Sequence, residues 1–213
     1  MLLKKIFKFN VHHLRIDQKA LLKDAVPMNT KLELVYVLNH DELTEDYSVL
    51  KTIEEELLTF LVKAMHQPGI DAAVFHPLKD EYDAIERMMY AAKAWKDEEN
   101  SLFELFQSDN TFVKARLQEI KKHMVDMYIR IADVIDNDAP RENYQKVVGI
   151  FQHITYDNKK FLEDISLYLD DHTLDKGMLS KLFHLSQSRE RSNAALLGAV
   201  KRLFLTDTQR KGM

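Results

Sequence analysis

The sequence predicts an all-α fold, an antiparallel helical bundle, and three kinds of observation carry that expectation. Apolar residues make up 46% of the 213 residues and charged residues 30%, while glycine and proline number five and four. That balance suits long amphipathic helices and not sheets with many tight turns. Apolar side chains recur at alternating steps of three and four, as buried stripes of helices require. Capping residues and Pro/Gly pairs separate these runs.

Taken in order, the first fifteen residues set Lys4, Lys5, Lys8 and Arg15 among Leu2, Leu3, Ile6, Phe7 and Phe9, a basic amphipathic lead-in. Leu21, Ala25, Met28, Leu32 and Val35 form a stripe that Pro27 should bend or split. Leu43, Tyr47, Leu50, Leu57 and Leu61 form the next, with Glu54 where an apolar residue is due. His66-Gln67-Pro68-Gly69 breaks the chain. Leu78, Tyr82, Ile85, Met89 and Ala92, continued through Trp95, Leu102 and Phe106, predict one helix over 72–107. Asp109 and Asn110 can cap the next, whose seam is Val113, Leu117, Ile120, Met124, Met127, Ile131 and Val134. Asn137, Asp138 and Pro140 end it and open another. Its seam is Val147, Phe151, Ile154, Asn158, Phe161, Ile165 and Tyr168, so Asn158 needs a buried partner or water. After a break over Thr173–Gly177, a last helix spans about 176–205.

Six helices with short connections pack as antiparallel neighbours, either as one long bundle or as two three-helix bundles in tandem, the latter being preferred in part for the resemblance given below. The division falls at Gln107–Asn110: a first bundle over 16–107, a second over 110–205, and a polar tail over 206–213.

Most chemistry is poorly provided for. The five glycines are scattered and none lies in a phosphate-cradling loop. No His-Glu-x-x-His pair and no serine in a nucleophile-elbow setting occurs, and without cysteine there is no thiolate nucleophile or ligand. A non-enzymatic protein is therefore expected. The mild charge of −4 gives no basic footprint for nucleic acid. No apolar run approaches the roughly 20 residues of a membrane span, and a cytoplasmic setting is expected.

Carboxylate clusters are the remaining metal candidates, because hard or borderline cations want oxygens converging from several helices. Glu54 and Glu99, with Asp97, stand where neighbouring seams turn polar and could hold a divalent or iron-type cation, although solvated helix faces are the favoured explanation of such runs. The nine histidines are dispersed and read as capping or surface residues, and Trp95, Phe103 and Phe106 read as core. The basic lead-in suits either contact with anionic lipid or docking on the bundle.

Specific strings add to this pattern. Arg15-Ile-Asp-Gln-Lys-Ala-Leu21, Leu50-Lys-Thr-Ile-Glu-Glu-Glu56, Met88-Met-Tyr-Ala-Ala-Lys-Ala-Trp-Lys-Asp97 and Ser192-Asn-Ala-Ala-Leu-Leu-Gly-Ala-Val-Lys-Arg-Leu203 resemble, in order and spacing, the cytosolic PhoU-like C-terminal region of bacterial Na+/phosphate cotransporter family proteins. The resemblance covers about 15–205. It implies two three-helix bundles, inward carboxylates that hold metal, and regulation of phosphate uptake by contact with a membrane transporter domain or a phosphate-signalling protein. A homodimer is also expected as a possible assembly. Of the family's central motif Asp97 matches, whereas Glu98 and Asn100 stand where the family carries an apolar residue and a histidine.

Overall fold

A computed structural model describes residues 2–16, 46–135, 140–168 and 175–212, and the expected stripe with its bend at Pro27 lies outside them. Eight helices and no strand are found among the described residues: α1 (Leu2–His13), α2 (Tyr47–Met65), α3 (Ala72–Lys96), α4 (Glu99–Gln107), α5 (Thr111–Ile135), α6 (Pro140–Ser166), α7 (Lys176–Phe204) and α8 (Asp207–Lys211).

Local chemistry sets most of these ends. The Asp46 carboxylate accepts from the Ser48 amide at 2.7 Å and starts α2, and Asp71 accepts from the Val74 amide at 3.0 Å to start α3. Between them Gly69 adopts a φ of 84°, a conformation that costs a residue with a Cβ. Asn110 caps α5 by accepting from the Phe112 and Val113 amides at 2.9 and 3.3 Å. The polar tail forms α8, opened by a reciprocal cap between Thr206 and Gln209. Arg210 ties it back to Asp80 at 2.7 Å, where Arg202 also binds at 3.1 Å.

The helix expected over 72–107 is two helices. The Asp97 amide still closes on the Lys93 carbonyl, but the Glu98 amide tightens onto Trp95, and α4 then begins at Glu99. Four consecutive polar residues, Asp97 to Asn100, offer nothing to bury at this point, and Glu98 instead accepts a hydrogen bond from the Ser188 hydroxyl at 2.8 Å. The turn lets Trp95 and Leu102, both buried, keep facing the core. Gly177, expected in a break, lies inside the first turn of α7.

Packing is centred on α7, whose most extensive neighbour is α3 and which also meets α4, α5 and α6. Apolar side chains from both sides of Gln107–Asn110 join one continuous cluster, including Trp95 and Met88 from α3, Ile120 and Met127 from α5, and Leu182, Leu196 and Val200 from α7. All seven expected seam residues of α5 are buried. In α6 the expected seam holds at Val147, Phe161 and Ile165, which are buried, but Phe151 is 54% exposed and Ile150 is buried beside it. Likewise Phe103, expected in the core, is 51% exposed, whereas Trp95 is fully buried.

The apolar half of α1 packs on α2 and α3, so Leu2, Leu3, Ile6, Phe7, Phe9 and Val11 are buried in the bundle. Asn10 follows them in and donates to the Tyr128 hydroxyl of α5 at 2.9 Å, with Phe7 stacked on the Tyr128 ring at 4.2 Å. No helix among the described residues is long and apolar enough to cross a membrane.

Candidate functional site

Midway along α5, α6 and α7 the shared seam changes from apolar to ionic. Helical spacing builds each contribution: Glu119, His123 and Asp126 lie three or four residues apart on α5, and His153 and Asp157 one turn apart on α6. From α7 come Ser186, Arg189, Glu190 and Asn193. Asn158, flagged by its place in an apolar stripe, finds its partners here: its Oδ1 accepts from Ser186 Oγ at 3.1 Å and Arg189 Nη2 at 3.3 Å, and its Nδ2 donates to Glu190 at 2.9 Å.

Arg189 is the centre of the cluster. Its guanidinium is buried, lies over the Phe161 ring at 4.6 Å, and stands 3.4 Å from His123 Nδ1. Burial lowers its pKa to about 10, against the opposing pull of Asp157, Glu119 and Glu190, so it stays charged at neutral pH. Asp157 in turn lies between two imidazoles, 3.5 Å from His123 Nδ1 and 3.2 Å from His153 Nε2. His153 Nε2 is also 2.7 Å from Asp126 Oδ2, yet it lacks hydrogen-bond alignment with either carboxylate. Next in the row, Arg116 joins Glu119 at 2.8 Å to Asp164 at 2.5 Å.

Burial is the main cause lowering the pKa of His123, followed by the opposing pull of Asp157 and then the push of Arg189. A neutral His123 can accept from Arg189 through Nδ1, and a protonated one must give up that bond and turn its charge toward Asp157. The gap these residues enclose is about 10 Å3, with room for about one water. Asn193 is buried and lines it, and its Oδ1 has no hydrogen-bond partner. The Ser186 hydroxyl is committed to Asn158 and not to an imidazole, so the arrangement reads as an ionic, hydrogen-bonded core around Arg189 and not as a nucleophile with its base.

The residues singled out in the sequence lie elsewhere. Glu54 is buried on α2 and paired with Lys51 one turn before it. Asp97 is exposed at the end of α3, and Glu99 is exposed in the first turn of α4, where it shares a cleft with His12, His13 and Arg15. Among the described residues no three or more histidines and carboxylates are placed to hold a metal ion. Lys4, Lys5 and Lys8 lie on α1, and each is engaged in an interaction; Arg15 has its guanidinium 4.9 Å over the Phe106 ring.

His123, His153 and Arg189 were missed by sequence reading because polar residues inside a seam leave no periodic signal. The available hints were Asn158 itself and the i,i+4 pairing of His153 with Asp157.

A second feature lies on the outer side of the α3–α7 pair. Asp83, Glu86, Arg87 and Tyr90 of α3 and Arg191, Ala194 and Ala195 of α7 line an open groove of about 630 Å3. Asp83 is drawn toward Arg202 at 3.5 Å, while Arg87 and Arg191 have no carboxylate partner among the described residues. Tyr90 is 53% exposed above the alanine floor.

Comparison with known proteins finds no matching family model, no similar curated protein and no similar solved structure.

Proposed function

We propose that the chain is a non-enzymatic, PhoU-like regulatory module that modulates sodium-dependent phosphate uptake by docking a helix face on a membrane transporter domain or a phosphate-signalling protein at the cytoplasmic side of the membrane. The tandem pair of three-helix bundles, divided at Gln107–Asn110, belongs to this reading. The phosphate context rests on the resembling strings quoted above. The docking role is supported chiefly by the α3–α7 groove, where two arginines without a carboxylate partner and a half-exposed tyrosine flank small alanines that allow a second backbone to approach closely. A partner segment carrying carboxylates fits that surface.

Uptake by cells expressing a sodium-dependent phosphate transporter is the test, with and without this chain, in phosphate-replete and starved medium. Altered uptake that the double variant Arg87→Glu/Arg191→Glu abolishes supports the reading. Equal uptake in every arm removes it.

A second reading, an oligomerisation adaptor, draws on the apolar side chains exposed around the α2–α3 turn, notably Phe60 at 68% and Val74 at 51%. Light scattering distinguishes it, because a dimer lost on Phe60→Ser is required.

A further inference from the structure

The end of α1, the turn that follows it and α4 enclose a cleft of about 190 Å3. Leu102, Phe103 and Phe106 supply its apolar side; His12, His13, Arg15 and Glu99 supply the polar one. Two separate sequence features, the basic lead-in and the acidic run after Trp95, thus meet in one place.

Several observations mark the cleft as more than a surface dent. Arg15 has a positive φ of 48°, and its carbonyl accepts from Lys121 Nζ at 3.1 Å, which holds this unusual backbone in place. The Arg15 guanidinium and the Lys121 ammonium both lie 4.9 Å from the Phe106 ring centre, so the cationic side is fixed against the aromatic one. His13 packs on Phe9 at 4.6 Å, and its Nε2 is buried with no hydrogen-bond partner. Burial lowers its pKa against the pull of Glu99, so the imidazole is neutral at neutral pH and adds no second positive charge beside Arg15. Phe103 stays half exposed beside these groups, where a small apolar body would cover it.

The cleft is smaller than the roughly 300 Å3 and upward that drug-sized ligands fill, and it offers one guanidinium, one carboxylate and an aromatic wall. We propose that it binds a free apolar α-amino acid. The ligand carboxylate takes Arg15, the ammonium takes Glu99, and the side chain lies against Phe103 and Phe106. A plain anion would leave Glu99 facing a like charge, and a plain amine would face Arg15 in the same way.

The test titrates the full chain calorimetrically with L-phenylalanine and L-leucine, with 3-phenylpropionate lacking the ammonium and phenethylamine lacking the carboxylate. Saturable binding of an amino acid, weakened about tenfold or more when either charged group is missing, supports the site. Glu99→Gln, at an exposed position, then erases the preference for L-phenylalanine over 3-phenylpropionate, and Arg15→Gln erases that over phenethylamine. Circular dichroism checks that both variants fold; if Arg15→Gln does not, Glu99→Gln decides. No saturable binding of either amino acid overturns the proposal, as does equal binding of 3-phenylpropionate or an affinity indifferent to Glu99→Gln.

Discussion

His123 Nδ1 lies 3.4 Å from Arg189 Nη1, so the imidazole is an acceptor in its neutral form and a cation repelled by the guanidinium when protonated. Because the folded-state pKa of His123 is lowered from 6.5, the unfolded chain binds the proton more readily. The stability it contributes is therefore complete above 6.5 and is lost as the pH falls from there through the folded pKa. His123→Asn keeps an acceptor near the Nδ1 position without titrating. Urea unfolding at about pH 7.5 and about pH 5 should show a smaller acid loss in the variant than in the parent.

Arg189→Met removes the buried cation that offsets Asp157 and Glu119 and leaves Asn158 and His123 without its hydrogen bonds. Breaking a buried charge network from one side costs about 3 kcal/mol or more, measurable by chemical denaturation. Adding Asp157→Asn should recover part of that loss, since the orphaned charge goes with it.

Tyr128→Phe deprives the fully buried Asn10 of its partner, and Asn10 Oδ1 already lacks one. A loss of about 1–3 kcal/mol in urea unfolding is expected, the cost of a buried unsatisfied amide. Replacing Asn10 by leucine in the same chain should restore stability, because no polar group is then left behind.

Two glycine substitutions should act in opposite directions. Gly198→Ala in α7 places a Cβ 2.9 Å from Nη1 and 3.3 Å from Cδ of Arg87, an exposed, flexible side chain that can swing away. Removing a helix glycine then stabilises by up to about 1 kcal/mol. Gly69→Ala meets no neighbour but must adopt a φ of 84°, and a loss of about 1 kcal/mol is expected. Melting temperatures of the two variants check both signs.

The helices were largely legible in the sequence because apolar periodicity and caps are local signals: the α5 seam and the Asn110 cap were readable directly. What escaped was set by tertiary partners. At the Asp97–Glu98 turn Glu98 meets Ser188, distant in sequence, and in α6 it is Ile150 and Asp157 that are buried while Phe151 stays exposed. Asn158 announced a polar core, but its companions on α5 and α7 are known only once three helices are laid side by side. The pairing of Glu99 with Arg15 in one cleft is equally long-range, and nothing in either segment points to the other.

The placement of α7 has a consequence for how the protein is made. The helix that α3, α4, α5 and α6 all lean on follows every one of them in the chain, so during synthesis their apolar stripes must wait without that common support until it has emerged. Nascent chains stopped before Lys176 should therefore depend on chaperones and fall quickly to proteases, and a stop codon within that stretch should be as damaging as deletion of the gene.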